Sequence, residues 1–207
     1  MIRLLISVVA LVVLLVPARA ETLTILAFGD SLTAGYGLPA EQAFPVKLEA
    51  ALRAKGHDVT IINGGVSGDT AGDGLARLEW SLSEDVDAAI VAFGGNDVLR
   101  GLPPEQAEQA LDKIMDILKA RGLPTLVAGM LAPPNLGADY GAAFNGIYPR
   151  LAEKHGALLY PFFLDGVAAI ARLNQADGLH PTGEGVDVIV ARMLPTVEEL
   201  LTKATAK

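Results

Sequence analysis

A chain of 207 residues is long enough to bury most of its apolar surface in one domain, so it needs neither a disulfide nor a metal staple to fold. It contains no cysteine, which excludes disulfides and a lipid-modified N-terminal cysteine. Its 16 Lys and Arg against 24 Asp and Glu give a formal net charge of −8, spread without long runs, which argues against nucleic acid and anionic membrane surfaces as partners.

Residues 1–20 read as a cleavable export signal peptide. Arg3 supplies the positive end, Leu4 to Val16 the apolar run and Ala18-Arg19-Ala20 a small-x-small cleavage site. That run of thirteen residues is too short for a helix that crosses a bilayer, which needs about 20. The expected product is residues 21–207 as a single domain, periplasmic or secreted, with no stable membrane anchor after cleavage. Loss of Arg3 and Arg19 makes it more acidic still.

From residue 22 onward, short apolar β-rich runs alternate with helix-like spacing bounded by Pro or Gly. A first strand over Thr22 to Gly29 runs into Asp30-Ser31, and a helix follows over Glu41 to Lys55. The second strand, Val59 to Asn63, leads to Ser67-Gly68-Asp69 and a helix over Asp73 to Leu82. The third, Ala88 to Gly94, leads to Gly95-Asn96-Asp97 and a helix over Pro104 to Arg121. Strands over Pro124 to Leu131 and Ala157 to Phe163 enclose a helix over Tyr140 to His155. A loop bearing Asp177-Gly178-Leu179-His180-Pro181 then precedes the last helix, Gly183 to Lys203.

Strands that are apolar throughout and joined by helical crossovers require a parallel sheet covered on both faces. The predicted fold is therefore α/β, a three-layer α/β/α sandwich on a five-stranded parallel sheet. In such sheets, groups for chemistry gather beyond the carboxyl ends of the strands. Ser31, Gly68 and Asn96 all follow strand ends and so share that edge. His57 and His155 each precede a strand and fall on the opposite edge.

A serine hydroxyl is a poor nucleophile until a neutral imidazole takes its proton, and a carboxylate must hold that imidazole in the useful tautomer. Ser31, His180 and Asp177 suit these three roles, if the loop after the fifth strand folds back over the carboxyl edge. The oxyanion formed on attack needs fixed donors, and the N–H of Ser31, the N–H of Gly68 and the Asn96 amide are candidates. Taken singly, each of these residues fits an ordinary turn or cap. Together they lie in the order and on the edge that one acyl-transfer reaction requires.

The chain resembles the GDSL-type esterases of the SGNH hydrolase superfamily over nearly all of its predicted mature length, and within them the arylesterase, acyl-CoA thioesterase I and lysophospholipase L1 branch. The resemblance rests on four blocks: Phe28-Gly29-Asp30-Ser31-Leu32-Thr33-Ala34-Gly35-Tyr36, Asn63-Gly64-Gly65-Val66-Ser67-Gly68-Asp69-Thr70, Gly94-Gly95-Asn96-Asp97 and Asp177-Gly178-Leu179-His180-Pro181. It implies a flavodoxin-like domain that hydrolyses esters, and often thioesters, through Ser31, Asp177 and His180 without cofactor or metal. Ser31, Gly68 and Asn96 form the implied oxyanion hole. It further implies that the loop from about Leu131 to Phe144 borders an acyl pocket.

The expected partner is a small acyl or aryl ester, and the expected assembly a monomer or weak oligomer. Two other readings compete: a carbohydrate-ester deacetylase, and a secreted lipid- or glycan-binding protein of the same fold without turnover. Gly35-Tyr36-Gly37-Leu38-Pro39-Ala40 formally fits a dinucleotide fingerprint, but Pro39 interrupts the run and the second strand ends in Asn63, not in an acidic residue. Ser67 lacks the glycine two residues later that marks an α/β-hydrolase nucleophile elbow.

Overall fold

The computed structural model describes residues 22–83 and 85–206; the proposed signal peptide lies outside them. Five strands, β1 (Leu23–Gly29), β2 (Val59–Gly65), β3 (Ala88–Ala92), β4 (Thr125–Ala128) and β5 (Leu158–Tyr160), form one sheet in the order β2-β1-β3-β4-β5. All four pairings are parallel, with Leu23 opposite Val59 and Ile25 opposite Ala88 at the start of the central pairs. Ile25 to Phe28 and Ala88 to Val91 are buried on both faces of the sheet. That burial is what their uninterrupted apolar sequence predicts.

The helices fall into two layers. On one face α2 (Phe44–Ala54) packs against the last helix, α8 (Gly183–Thr205); on the other lie α3 (Ala71–Ser81), α5 (Pro104–Ala120) and α7 (Ile147–His155). Local sequence sets several helix starts. Thr70 and Asp73 form a reciprocal capping box at α3, and Pro104 opens α5, where a missing N–H costs nothing. α8 runs through Pro195 because its buried stripe of Ile189, Met193, Val197 and Leu200 outweighs the lost backbone bond.

The structure departs from the sequence-based boundaries at several points. The helix expected over Tyr140 to His155 is two helices, α6 (Ala138–Asn145) and α7, separated at Gly146. Asn145 Oδ1 accepts the N–H of Ala132, which ties the end of α6 to the segment after β4. β4 and β5 are shorter than expected, since Gly129 donates to Tyr160 O and accepts from Phe163 N as the chains part. Two short helices, α1 (Ser31–Ala34) and α4 (Gly95–Leu99), replace expected turns directly after β1 and β3. The crossovers from β1 and β3 leave in opposite directions, so a crevice opens between these strands at their carboxyl ends.

Candidate active site

Ser31 is the first residue of α1. Asp30 caps this helix, its Oδ1 accepting the Leu32 N–H at 3.0 Å, and Gly35 ends it at φ +82° with its N–H on Ser31 O. The turn is tight: a Cβ on Gly29 would collide with Thr33 and with the Ala92 carbonyl. As a first-turn residue, Ser31 has a backbone N–H with no intrahelical acceptor.

His180 arrives from the far end of the sequence on a pinned loop. Gln175 N donates to His180 O at 2.7 Å, and Thr182 N to Leu173 O at 2.9 Å. The Gln175 side-chain amide reaches both Pro181 O (2.9 Å) and Tyr36 O (2.8 Å), tying the loop to the segment after α1. Tyr36 packs its ring against the imidazole, with centroids 4.6 Å apart. His180 Nε2 thereby lies 2.9 Å from Ser31 Oγ.

Asp177 stands behind the imidazole, with Oδ2 2.7 Å from His180 Nδ1. Its Oδ1 accepts the N–H groups of Leu179 and His180 at 2.9 and 3.0 Å. The backbone N–H of His180, then that of Leu179, then the His180 ring hold the Asp177 carboxyl down at about 2. An ionised carboxylate only accepts hydrogen bonds, so Nδ1 must donate to it and Nε2 is left to accept from the serine hydroxyl.

Asn96 sits in the first turn of α4. Its Nδ2 donates to Asp69 O at 2.9 Å, while Asp30 Oδ2, at 3.5 Å, is too far for a strong second bond. Gly68 takes φ +91° in the turn after β2, a conformation that favours glycine, and its carbonyl accepts from Arg100 Nη2 at 2.6 Å. Asp97, buried, accepts the Ala71 N–H at 3.0 Å, and its burial pushes its carboxyl above the ordinary range. α4 and its C-cap thus bind the Gly68 turn at Gly68 O and Asp69 O, and the start of α3 at Ala71 N.

Ser31, Asn96 and His180 line one cavity of about 540 Å³. Gly68 is not part of its wall and connects to it through the bonds just described. Apolar side chains make most of the wall, among them Leu99, Met130, Leu131, Phe162 and Leu164. Of the loop from Leu131 to Phe144 that the family resemblance placed at the pocket, Leu131 to Pro134 border the cavity and residues 135–144 do not line it. The second wall, from Phe162 to Ala169, went unnoticed in the sequence because Phe162 and Phe163 read as strand. Ala169 there adopts φ +62°.

Other residues that sequence reasoning missed also shape the site. Asp30 is 2 % exposed beside Ser31, and burial pushes its carboxyl up to about 7 against the pull of the Leu32 N–H. Its place in the Gly-Asp-Ser block was the available signal. Gln175 and Arg77 carried none. The two other histidines are engaged elsewhere, His57 with Glu198 and His155 with Asp112. Ser67 is exposed on its turn, and Gly35 serves as the helix cap of α1. Among the described residues, no group of three or more His, Asp or Glu is placed to hold a metal ion.

Fold and geometry together describe the class of hydrolases that set a serine at the carboxyl edge of a flavodoxin-like sheet. Comparison with known proteins gives the family. Residues 27–188 match the model of the GDSL-like lipase/acylhydrolase family, and the chain belongs to that family. It is 38 % identical over 193 residues to the esterase TesA of Pseudomonas aeruginosa, covering 93 % of this chain and 95 % of the relative. It is 43 % identical over 161 residues to an arylesterase of Vibrio mimicus, covering 77 % and 80 %. The solved structure of AlinE4, described as an SGNH-hydrolase family esterase, superposes with a TM-score of 0.74 at 50 % identity, over 89 % of this chain and 99 % of that one. The protein is accordingly an ester hydrolase of the SGNH type.

Proposed function

We propose that Ser31 Oγ attacks the acyl carbonyl while His180 Nε2 takes its proton, and that His180 then returns this proton to the departing alcohol, phenol or thiol. Asp177 holds the imidazole in the required tautomer and stabilises the imidazolium between the two transfers. Water, deprotonated by His180, cleaves the acyl-enzyme and frees the carboxylic acid. The N–H groups of Ser31 and Gly68 and the Asn96 amide receive the oxyanion. The observation that carries this reading is the continuous hydrogen-bonded chain from Ser31 Oγ through both ring nitrogens to Asp177.

The proposed substrates are aryl and acyl esters, with acyl thioesters and lysophospholipids inside the range. A cavity of about 540 Å³ with largely apolar walls supports an acyl or aryl group over a sugar, which weighs against the carbohydrate deacetylase. The proposed assembly is a monomer or weak oligomer. Cleavage after Ala20 and function outside the cytoplasm are proposed from the leader sequence. Among the described residues, no helix is long and apolar enough to cross a membrane.

The test is a panel of p-nitrophenyl esters, acyl-CoA and lysophospholipid of matched chain length, run on wild type and Ser31→Ala. Activity on the esters and a loss of about 10³-fold or more in kcat for the variant are expected. Retention of more than a few per cent contradicts the nucleophile assignment. Activity confined to acetylated sugars would replace the substrate class.

A further inference from the structure

Arg77 is a charged side chain beneath the site that takes no part in the proposed proton transfers. Arg77 projects from α3, and its guanidinium meets four acceptors on separate parts of the chain. Nη2 donates to Gly29 O (2.9 Å), at the end of β1 and two residues before Ser31. Nη1 donates to Gly64 O (2.9 Å) near the end of β2 and to Ser81 Oγ (3.2 Å). Nε donates to Asp69 Oδ2 at 2.6 Å, next to Gly68. The guanidinium also lies over the Phe28 ring, 4.5 Å from its centroid, with Phe93 of the segment after β3 at 5.8 Å.

These contacts span the distance that acyl transfer depends on. Gly29 leads into the serine, and Asp69 belongs to the turn that carries Gly68. Three of the four acceptors are therefore the ends of β1 and β2 and the oxyanion turn itself. The planar fork matches them because its donors point in fixed directions, whereas a lysine ammonium is a single point that cannot reach all three. Only 22 % of the Arg77 side chain and 15 % of that of Asp69 are exposed, so the ion pair is largely screened from water.

We infer that Arg77 is a positioning residue: it sets the separation between the nucleophile and the Gly68 donor, and so acts on the transition state more than on substrate binding. The inference rests on the proposed role of Gly68 in the oxyanion hole. No bond to Arg77 is made or broken in the reaction; it works through the geometry of residues 29–31 and 68–69.

The test uses Arg77→Met, Arg77→Lys, Arg77→Ala and Asp69→Asn, with kcat counted per active site titrated by a phosphonate ester. Displacing a reacting group by about 1 Å can cost about 100-fold, so Arg77→Met should lose about 10- to 100-fold in kcat with KM changed less than about threefold. Arg77→Lys should not restore it. Asp69→Asn, which keeps volume and fold, should lose about fivefold or more, and it decides the matter alone if Arg77→Met does not fold. Added methylguanidinium should recover part of the kcat of Arg77→Ala and leave wild type unchanged. A kcat per titrated site within twofold of wild type in Asp69→Asn and in every folded Arg77 variant overturns the inference. The hydrolase reading would survive that result so long as Ser31→Ala is inactive, and would fall separately if Ser31→Ala is active.

Discussion

The two halves of the site are built differently. The proposed nucleophile and the candidate oxyanion donors stand within four residues of the ends of β1, β2 and β3, and each turn there is tied across strands by Arg77, Asn96, Asp97 or Arg100. His180 and Asp177 instead stand on a partly exposed loop seventeen or more residues after β5, held by its own turn and by Gln175. The charge-stabilising half is thus made from sheet edges that cannot shift without disturbing the core. The half proposed to transfer protons rests on local hydrogen bonds, and the two meet at the 2.9 Å contact between His180 and Ser31, beside the Tyr36 ring and the Gln175 tether.

The largest effect should come from the rigid half. Asn96→Ala removes a proposed oxyanion donor and also frees Asp69 O, and is expected to lower kcat by about 10²–10³-fold with a smaller change in KM, as steady-state kinetics on p-nitrophenyl esters will show. An unchanged kcat would remove Asn96 from the reaction.

A smaller loss is expected in the loop half. Gln175→Ala deletes the bonds to Tyr36 O and Pro181 O but leaves the Asp177–His180 pair intact, so kcat should fall about tenfold. Pre-steady-state kinetics should show acylation slowed along with deacylation, because His180 is proposed to serve both. If kcat holds and only the melting temperature drops, the loop does not need this tether to aim the imidazole.

The smallest effect separates the halves by pH. Burial raises the Asp30 carboxyl from an unfolded value of about 3.9 to about 7 in the folded protein, so between these values the folded state binds more protons than the unfolded one. Stability must then fall as pH rises through that window and level off above it. Asp30→Asn keeps an acceptor for the Leu32 N–H and removes the ionisation, so its melting temperature should gain on wild type between about pH 4 and 7. Parallel melting curves across that range would show that Asp30 is not held neutral by burial. Asp177 has the opposite sign. Its depressed value favours folding above the ordinary carboxylate range, an advantage lost as pH falls toward about 2.

The rigid half was also the more legible. Its residues follow apolar strands within short motifs, so sequence order alone places them on one edge of the sheet. His180 could be chosen because the other two histidines precede strands, but the route of its loop depends on Gln175 reaching Tyr36 O, 139 residues away in sequence. Arg77 was invisible for a similar reason, since two of its four acceptors are backbone carbonyls, which carry no residue signature. The break at Gly146 was missed because its φ of −74° is helical, and the chain changes helix there without a residue type that forces it. The second cavity wall was hidden because Phe162 and Phe163 continue the apolar pattern of β5 after its ladder has ended.

The most direct test is covalent. Incubation with a fluorophosphonate followed by peptide mass mapping should find one adduct per chain, on Ser31, with labelling slowed at least about 100-fold in His180→Ala. An adduct on Ser67, or full esterase activity in a chain whose Ser31 stays unmodified, would contradict the account.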